Sequence, residues 1–243
     1  MEPAVLRDDM VDSLEHESKG VVRSDSIGLA MREVPREEFV EDEQGAYADA
    51  AQRSHGTRVL APSTVARLIE ALGPEDGDEV LVVGAGVGYT AAVLAEVVGA
   101  RHVHAIDITR QLVFEARSNL AKAGYSEVLV DCRDGAEGLA EYAPFDRILV
   151  EAAAVEPPRA LENQLAEDGQ LVMPLGAGQQ SLTIVHPDGE REPLGGVAFA
   201  PLLVDGEQAG AVERNRTARE ERERADRQAQ RRAGWEQDWI DWD

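Results

Sequence analysis

Cysteine and lysine are nearly missing from this chain. The one cysteine, Cys132, excludes an internal disulfide and any metal site built from several cysteines, so no metal is expected. Only two of the 24 basic residues are lysine, Lys19 and Lys122. No apolar run approaches the length of a membrane span. The opening stretch 1–20 is rich in Asp and Glu and lacks the basic-then-apolar order of a secretory signal. A soluble, cytoplasmic protein with no membrane partner is therefore expected. Basic stripes that would meet phosphates are lacking too, which speaks against a nucleic-acid partner.

What the chain has instead is acid. Asp and Glu number 47, and the formal net charge is −23 over 243 residues. Heavy acid loading with scarce lysine is the surface chemistry of a halophile's cytoplasm, where salt screens the self-repulsion and carboxylates keep the surface hydrated. Hydrophobic residues make up 43% of the chain, enough to core one sizeable α/β domain with appendages.

The stretch Val80-Leu81-Val82-Val83-Gly84-Ala85-Gly86-Val87-Gly88-Tyr89 organises the rest. It reads as a short buried strand, a glycine turn and a helix from Thr90 to Val98. Gly84 and Gly86 let the backbone turn sharply and approach a ligand, and the helix start offers unpaired N–H groups. The spacing is G-x-G-x-G, with Tyr89 where a dinucleotide fingerprint wants its third glycine. That disfavours a nicotinamide or flavin cofactor and favours S-adenosylmethionine.

Upstream, residues 1 to about 50 read as helical and mostly surface-facing, with Ile27, Met31 and Val34 on one stripe. An irregular polar stretch runs to Thr57. Pro62 opens a helix whose Val65, Leu68, Ile69 and Leu72 share a face, Ser63 and Thr64 serving its start. From Asp78 strands and helices alternate, which predicts a parallel sheet with helices on both faces. The strands are expected at 79–83, 102–107, 128–132, 147–150 and 170–173, followed by an antiparallel pair at 181–186 and 196–204. The domain reading is 1–77 as an N-terminal helical, substrate-side segment, 78–204 as the cofactor-binding core and 205–243 as a charged tail. Trp235, Trp239 and Trp242 fall on one face of that tail if it is helical, and a docking partner for them is expected.

Around the expected cleft, Gly84, Ala85, Gly86 and Gly88 form the turn under the methionine portion of the cofactor. Asp107 ends the second strand, about twenty residues beyond the glycines, where a carboxylate accepts from ribose hydroxyls, with Ile108 following it. Asp134 and Gly135 follow the third strand and face the adenine. His102 and His104 read as ordinary strand histidines, His55 as a loop histidine, and Cys132 as a core residue.

Several blocks resemble the protein-L-isoaspartate O-methyltransferases, S-adenosylmethionine-dependent repair enzymes. They include Val34-Pro35-Arg36-Glu37-Glu38-Phe39-Val40, Ala46-Tyr47-Ala48-Asp49 and Val80 to Leu94. Asp134-Gly135, Pro144 to Val150, Leu171 to Gly176 and Val197 to Leu202 complete them. The resemblance implies a Rossmann-like methyltransferase core and a protein or peptide substrate with a free carboxyl, already ionised, so that no general base is needed. It also exposes departures. Where the family shows threonine, an apolar residue and serine before the proline matching Pro62, this chain has Arg58, Val59 and Leu60, preceded by Thr57. Val82 replaces an acid in the first strand, and Glu151 stands where a small or hydroxyl residue is usual. The substrate-side set is therefore Thr57, Arg58, Leu60 and Glu151, with no catalytic residue assigned. A related methyltransferase with another substrate, and a cofactor-binding scaffold that recruits a partner through its tail, stand as alternatives.

Overall fold

Val80–Val83 is buried along its whole length, as a central strand covered on both faces must be. The computed structural model describes residues 2–54 and 56–204. His55 and the tail with Trp235, Trp239 and Trp242 lie outside the described residues.

The chain runs through α1 (Pro3–Glu15), α2 (Asp25–Glu33), β1 (Gln52–Ser54), β2 (Thr57–Val59), α3 (Pro62–Leu72), β3 (Val80–Val83) and α4 (Tyr89–Val98). It continues through β4 (Val103–Asp107), α5 (Arg110–Lys122), β5 (Leu129–Cys132), β6 (Phe145–Val150), α6 (Arg159–Glu162), β7 (Leu165–Leu175), β8 (Gln180–Val185) and β9 (Arg191–Val197). Seven strands form one sheet in the order β5-β4-β3-β6-β7-β8-β9. The first five are mutually parallel, and β8 and β9 turn back antiparallel. Strand order reverses between β4 and β6 around β3, and ligands of such sheets sit at the carboxyl ends on either side of that switch.

Alternation along β3 divides the core. Val80 and Val82 face a cluster running from Met10 to Leu182 that takes in α1 to α5. Leu81 and Val83 face a smaller one with Leu139, Phe145 and Leu161. Helices cover both faces; among the described residues the second is covered by the four-residue α6, short turns and Leu202.

The expected stripe of α3 is buried at all four positions, each worth roughly 1.5–3 kcal/mol. Gly73 closes the helix in the left-handed conformation. Its start is capped from outside: the Ser63 N–H donates to Asp49 Oδ1 at 3.0 Å, and the Ser63 hydroxyl bonds the same carboxylate, so Ser63 serves the start through Asp49. The N-terminal helices are less exposed than their sequence suggests. Met10, Val11 and Leu14 of α1 and Ile27, Ala30 and Met31 of α2 are all buried.

Three further expectations change. The polar stretch before Thr57 is a hairpin, with β1 and β2 antiparallel. Among the described residues the last strand is β9 at Arg191–Val197, not 196–204, and 198–204 is a separate covering segment. Cys132, at the end of edge strand β5, is exposed rather than core. Among the described residues, no helix is long and apolar enough to cross a membrane.

Gly88 shows how tightly α4 is seated. Its φ is +94°, and a Cβ there would stand 3.2 Å from Leu120 Cγ and 3.4 Å from Ala116. Backbone strain and overpacking both oppose a side chain. Gly88→Ala is expected to cost about 1–3 kcal/mol, read as a lower urea midpoint. An unchanged midpoint would contradict this packing.

Candidate active site

The carboxyl ends of β3, β4 and β6 surround a cleft of about 870 Å³, within the usual size of small-molecule sites. Its floor is the turn after β3. The N–H groups of Gly84 and Ala85 both donate to the Ile106 carbonyl, at 2.8 and 3.0 Å, which ties the turn to β4. Gly84 and Gly86 have φ of +93° and +53°. A Cβ on Gly86 would meet nothing nearer than 3.9 Å, so the space above this residue is open to a ligand.

Asp107 closes the turn from β4. Its Oδ2 accepts from the Gly86 N–H at 3.0 Å and its Oδ1 from the Thr109 N–H at 2.8 Å. Each oxygen keeps further lone-pair capacity, and the residue lines the cleft. Burial pushes this carboxyl above its ordinary range, with the two N–H groups pulling the other way. Ile108 and Gly135 line the same wall. Gly135 has no room for a side chain: a Cβ would meet Val83 Cγ1 at 2.5 Å.

Three of the expected cofactor residues stand outside the lining. Ala85 is buried beside the turn, Gly88 packs on α5, and Asp134 holds the next loop through its Oδ1 and the Ala136 N–H. Tyr89 packs inward under the Arg36 guanidinium, 4.4 Å from its ring centre, and edge-on to Phe39.

The opposite wall is the β1–β2 hairpin. Arg53, Thr57, Arg58 and Leu60 line the cleft from there. The fully buried Arg36 fixes the hairpin's exit: its Nε donates to the Ala46 carbonyl at 2.8 Å and its Nη2 to the Leu60 carbonyl at 2.6 Å. The segment 198–203 forms the third side. The Gln180 side chain holds Phe199 through both its N–H and its C=O. Ala153 exchanges hydrogen bonds with Ala200 and Leu202, each 2.8 Å.

Glu151 follows β6 and stands against Gly84. Part of the residue opens on the cleft, yet Oε1 is shut off from solvent and has no hydrogen-bond partner among the described residues. Burial pushes its carboxyl up to about 7; the Thr90 hydroxyl opposes the shift and Asp107 adds to it. Val82, the other departure, is simply a core residue. At the far end of the sheet His102 sits in a short turn rather than a strand, and both it and His104 lean on Glu79. No group of three potential metal ligands occurs among the described residues.

Arg53 is not legible as a site residue, and 198–203, which overlaps one of the family-like blocks, reads as strand rather than as a wall of the cleft. Arg53 lies on a three-residue polar strand, and only its register opposite Arg58 brings it to the cleft.

A family model described as protein-L-isoaspartate(D-aspartate) O-methyltransferase matches residues 7–208. A Methanocella arvoryzae protein named protein-L-isoaspartate O-methyltransferase is 43% identical over 180 residues, 71% of this chain and 96% of the relative. One of the same name from Aeropyrum pernix is 43% identical over 206 residues, 80% of this chain and 78% of the relative. A solved protein-L-isoaspartate O-methyltransferase superposes with a TM-score of 0.71 at 28% identity, covering 84% of this chain and 67% of that one. A Plasmodium falciparum structure, titled as that enzyme with S-adenosyl-L-homocysteine, gives 0.73 at 22% identity over 81% of this chain and 98% of its own, a likeness of fold.

Proposed function

The chain belongs to the protein-L-isoaspartate(D-aspartate) O-methyltransferase family, and from that premise we propose how its cleft divides the work. It is an S-adenosylmethionine-dependent methyltransferase acting on the carboxyl of isoaspartyl residues in damaged proteins. Asp107 takes the ribose hydroxyls, Gly84 and Gly86 give the methionine portion close passage along the backbone, and Ile108 and Gly135 flank the adenine. The open space over Gly86 and the side-chain-free floor support this fit.

Bound S-adenosylmethionine supplies an electrophilic methyl on a sulfonium. The protein's own task is to hold a carboxylate oxygen in line with that methyl. The nucleophile is ionised at neutral pH, so alignment, not proton removal, carries the rate. Arg58 stands where a hydroxyl is usual and offers a charged fork suited to a carboxylate, while Thr57 adds a hydroxyl on the same wall. Leu60 gives no hydrogen bond, and Glu151 disfavours a carboxylate whenever it is ionised.

The observation that carries this reading is Asp107 clasping the glycine turn at the strand-order reversal. Incubation with methyl-labelled cofactor and a peptide in isoaspartyl and ordinary aspartyl forms tests it. Base-labile label on the isoaspartyl form alone is expected; no transfer to either overturns it. Leu60→Ser restores a donor at a place already fixed by Arg36 and is expected to raise kcat/KM for the isoaspartyl peptide about fivefold, the worth of one hydrogen bond. A fall would place Leu60 outside the substrate path.

A further inference from the structure

Arg53 and Arg58 are direct cross-strand partners on the β1–β2 hairpin. Residues so paired project to the same face, about 5 Å apart at their Cβ atoms. Like charges placed directly opposite one another in this way repel. Elsewhere the arginines of this acid-rich chain are commonly matched with acids: Arg7 with Glu37, Arg32 with Asp12 and Glu15, Arg147 with Asp78. Among the described residues neither hairpin arginine has an acid partner, and there Arg58 makes a long 3.4 Å contact to the Ala198 carbonyl. Both line the cleft wall facing the covering segment.

We propose that Arg53 and Arg58 form a paired-cation rim that selects isoaspartyl peptides carrying a second carboxylate on a neighbouring residue. The inference rests on the reading of the cleft as the isoaspartyl site and adds Arg53 as its specificity-determining residue. Arg58, nearer the covering segment, takes the free carboxylate of the isoaspartyl residue. Arg53, one strand across, takes the neighbour's carboxylate. The Cα of the preceding residue lies about 3.8 Å from the isoaspartyl Cα across an ordinary peptide, close enough for two carboxylates on the peptide to reach two arginines whose Cβ atoms stand about 5 Å apart. An acidic peptide also relieves the repulsion between them, and most fully when both anions arrive. The rim has a clear purpose in a chain of net charge −23: such a surface repels acidic partners everywhere else, and two local cations reverse that at the one place where substrate enters. Protein surfaces as acidic as this one would be the matching substrates.

The test compares isoaspartyl peptides that differ only in the adjacent residue, Glu, Ala or Lys, at one fixed salt concentration. The parent protein is expected to favour the Glu peptide over the Ala peptide about fivefold in kcat/KM, the scale of an exposed Arg–carboxylate contact. Arg53→Gln is expected to bring that ratio below twofold, and Arg53→Glu to reverse the order in favour of the Lys peptide, with melting curves checking that each variant is folded. Equal use of the three peptides by the parent overturns the paired-cation rim while leaving the isoaspartyl reading intact. Transfer to none of them overturns the reading itself and the rim with it. An undiminished ratio in Arg53→Gln overturns the role of Arg53.

Discussion

Asp107→Ala is expected to weaken S-adenosylhomocysteine binding by roughly 100-fold, the loss of the hydrogen bonds that two hydroxyls donate to its carboxylate. The same change frees the Gly86 N–H that Asp107 holds at 3.0 Å, so the turn loses its clasp together with the ligand's anchor. Asp107→Asn keeps the shape and one acceptor oxygen, and an intermediate loss of about tenfold is expected. Calorimetric titration of folded variants reads both. Equal affinity in parent and Asp107→Ala would mean that the ligand binds elsewhere.

Glu151→Gln is expected to stabilise the protein above neutral pH and to remove a pH dependence of transfer. The sign follows from a folded-state value of about 7 against an ordinary 4.5. Below the ordinary value the carboxyl is neutral in both folded and unfolded chains and costs nothing. As pH rises between the two values the unfolded chain ionises while the folded one keeps its proton, so stability falls. Above the folded value the penalty is complete, at roughly 3 kcal/mol. Glutamine escapes that penalty, so its melting temperature should exceed the parent's by several degrees at pH 8 and differ little at pH 5. Transfer follows the same group. A neutral Glu151 tolerates a substrate carboxylate and an ionised one repels it, so parental kcat/KM for an isoaspartyl peptide should fall as pH rises through about 7. The glutamine variant should show no such fall. Matching pH profiles in the two proteins would remove Glu151 from the substrate path.

The parts of the fold that could be read from sequence are those with strong periodicity. The four-residue stripe of α3, the buried run of β3 and the glycine turn all announce themselves by spacing, and Asp107 follows at the expected distance. The hairpin did not, because Gln52-Arg53-Ser54 and Thr57-Arg58-Val59 are short, polar and without an alternation long enough to register. The last described strand departs from its pattern for the opposite reason. Arg191–Val197 contains Pro193, Gly195 and Gly196, which read as loop yet suit the exposed edge strand that β9 is. The apolar 198–203 reads as strand, but its backbone is claimed by Gln180 and Ala153, and it covers the cleft instead. Substitutions at Arg58, Leu60 and Glu151 were visible as departures from a family pattern. The burial of Glu151 is not, since it depends on β6 pairing with β3, far away in the chain, and neither is the pairing of Arg53 with Arg58, since the short polar hairpin that creates it carries no pattern of its own.

The most direct measurement is a crystal structure of the protein soaked with S-adenosylhomocysteine. Density for the ribose hydroxyls on Asp107, with the amino-acid portion passing along Gly84 and Gly86, is the expected result. Density in any other cavity, or a cleft that stays empty at saturating ligand, would contradict the assignment of this strand-order reversal as the methyl-transfer site.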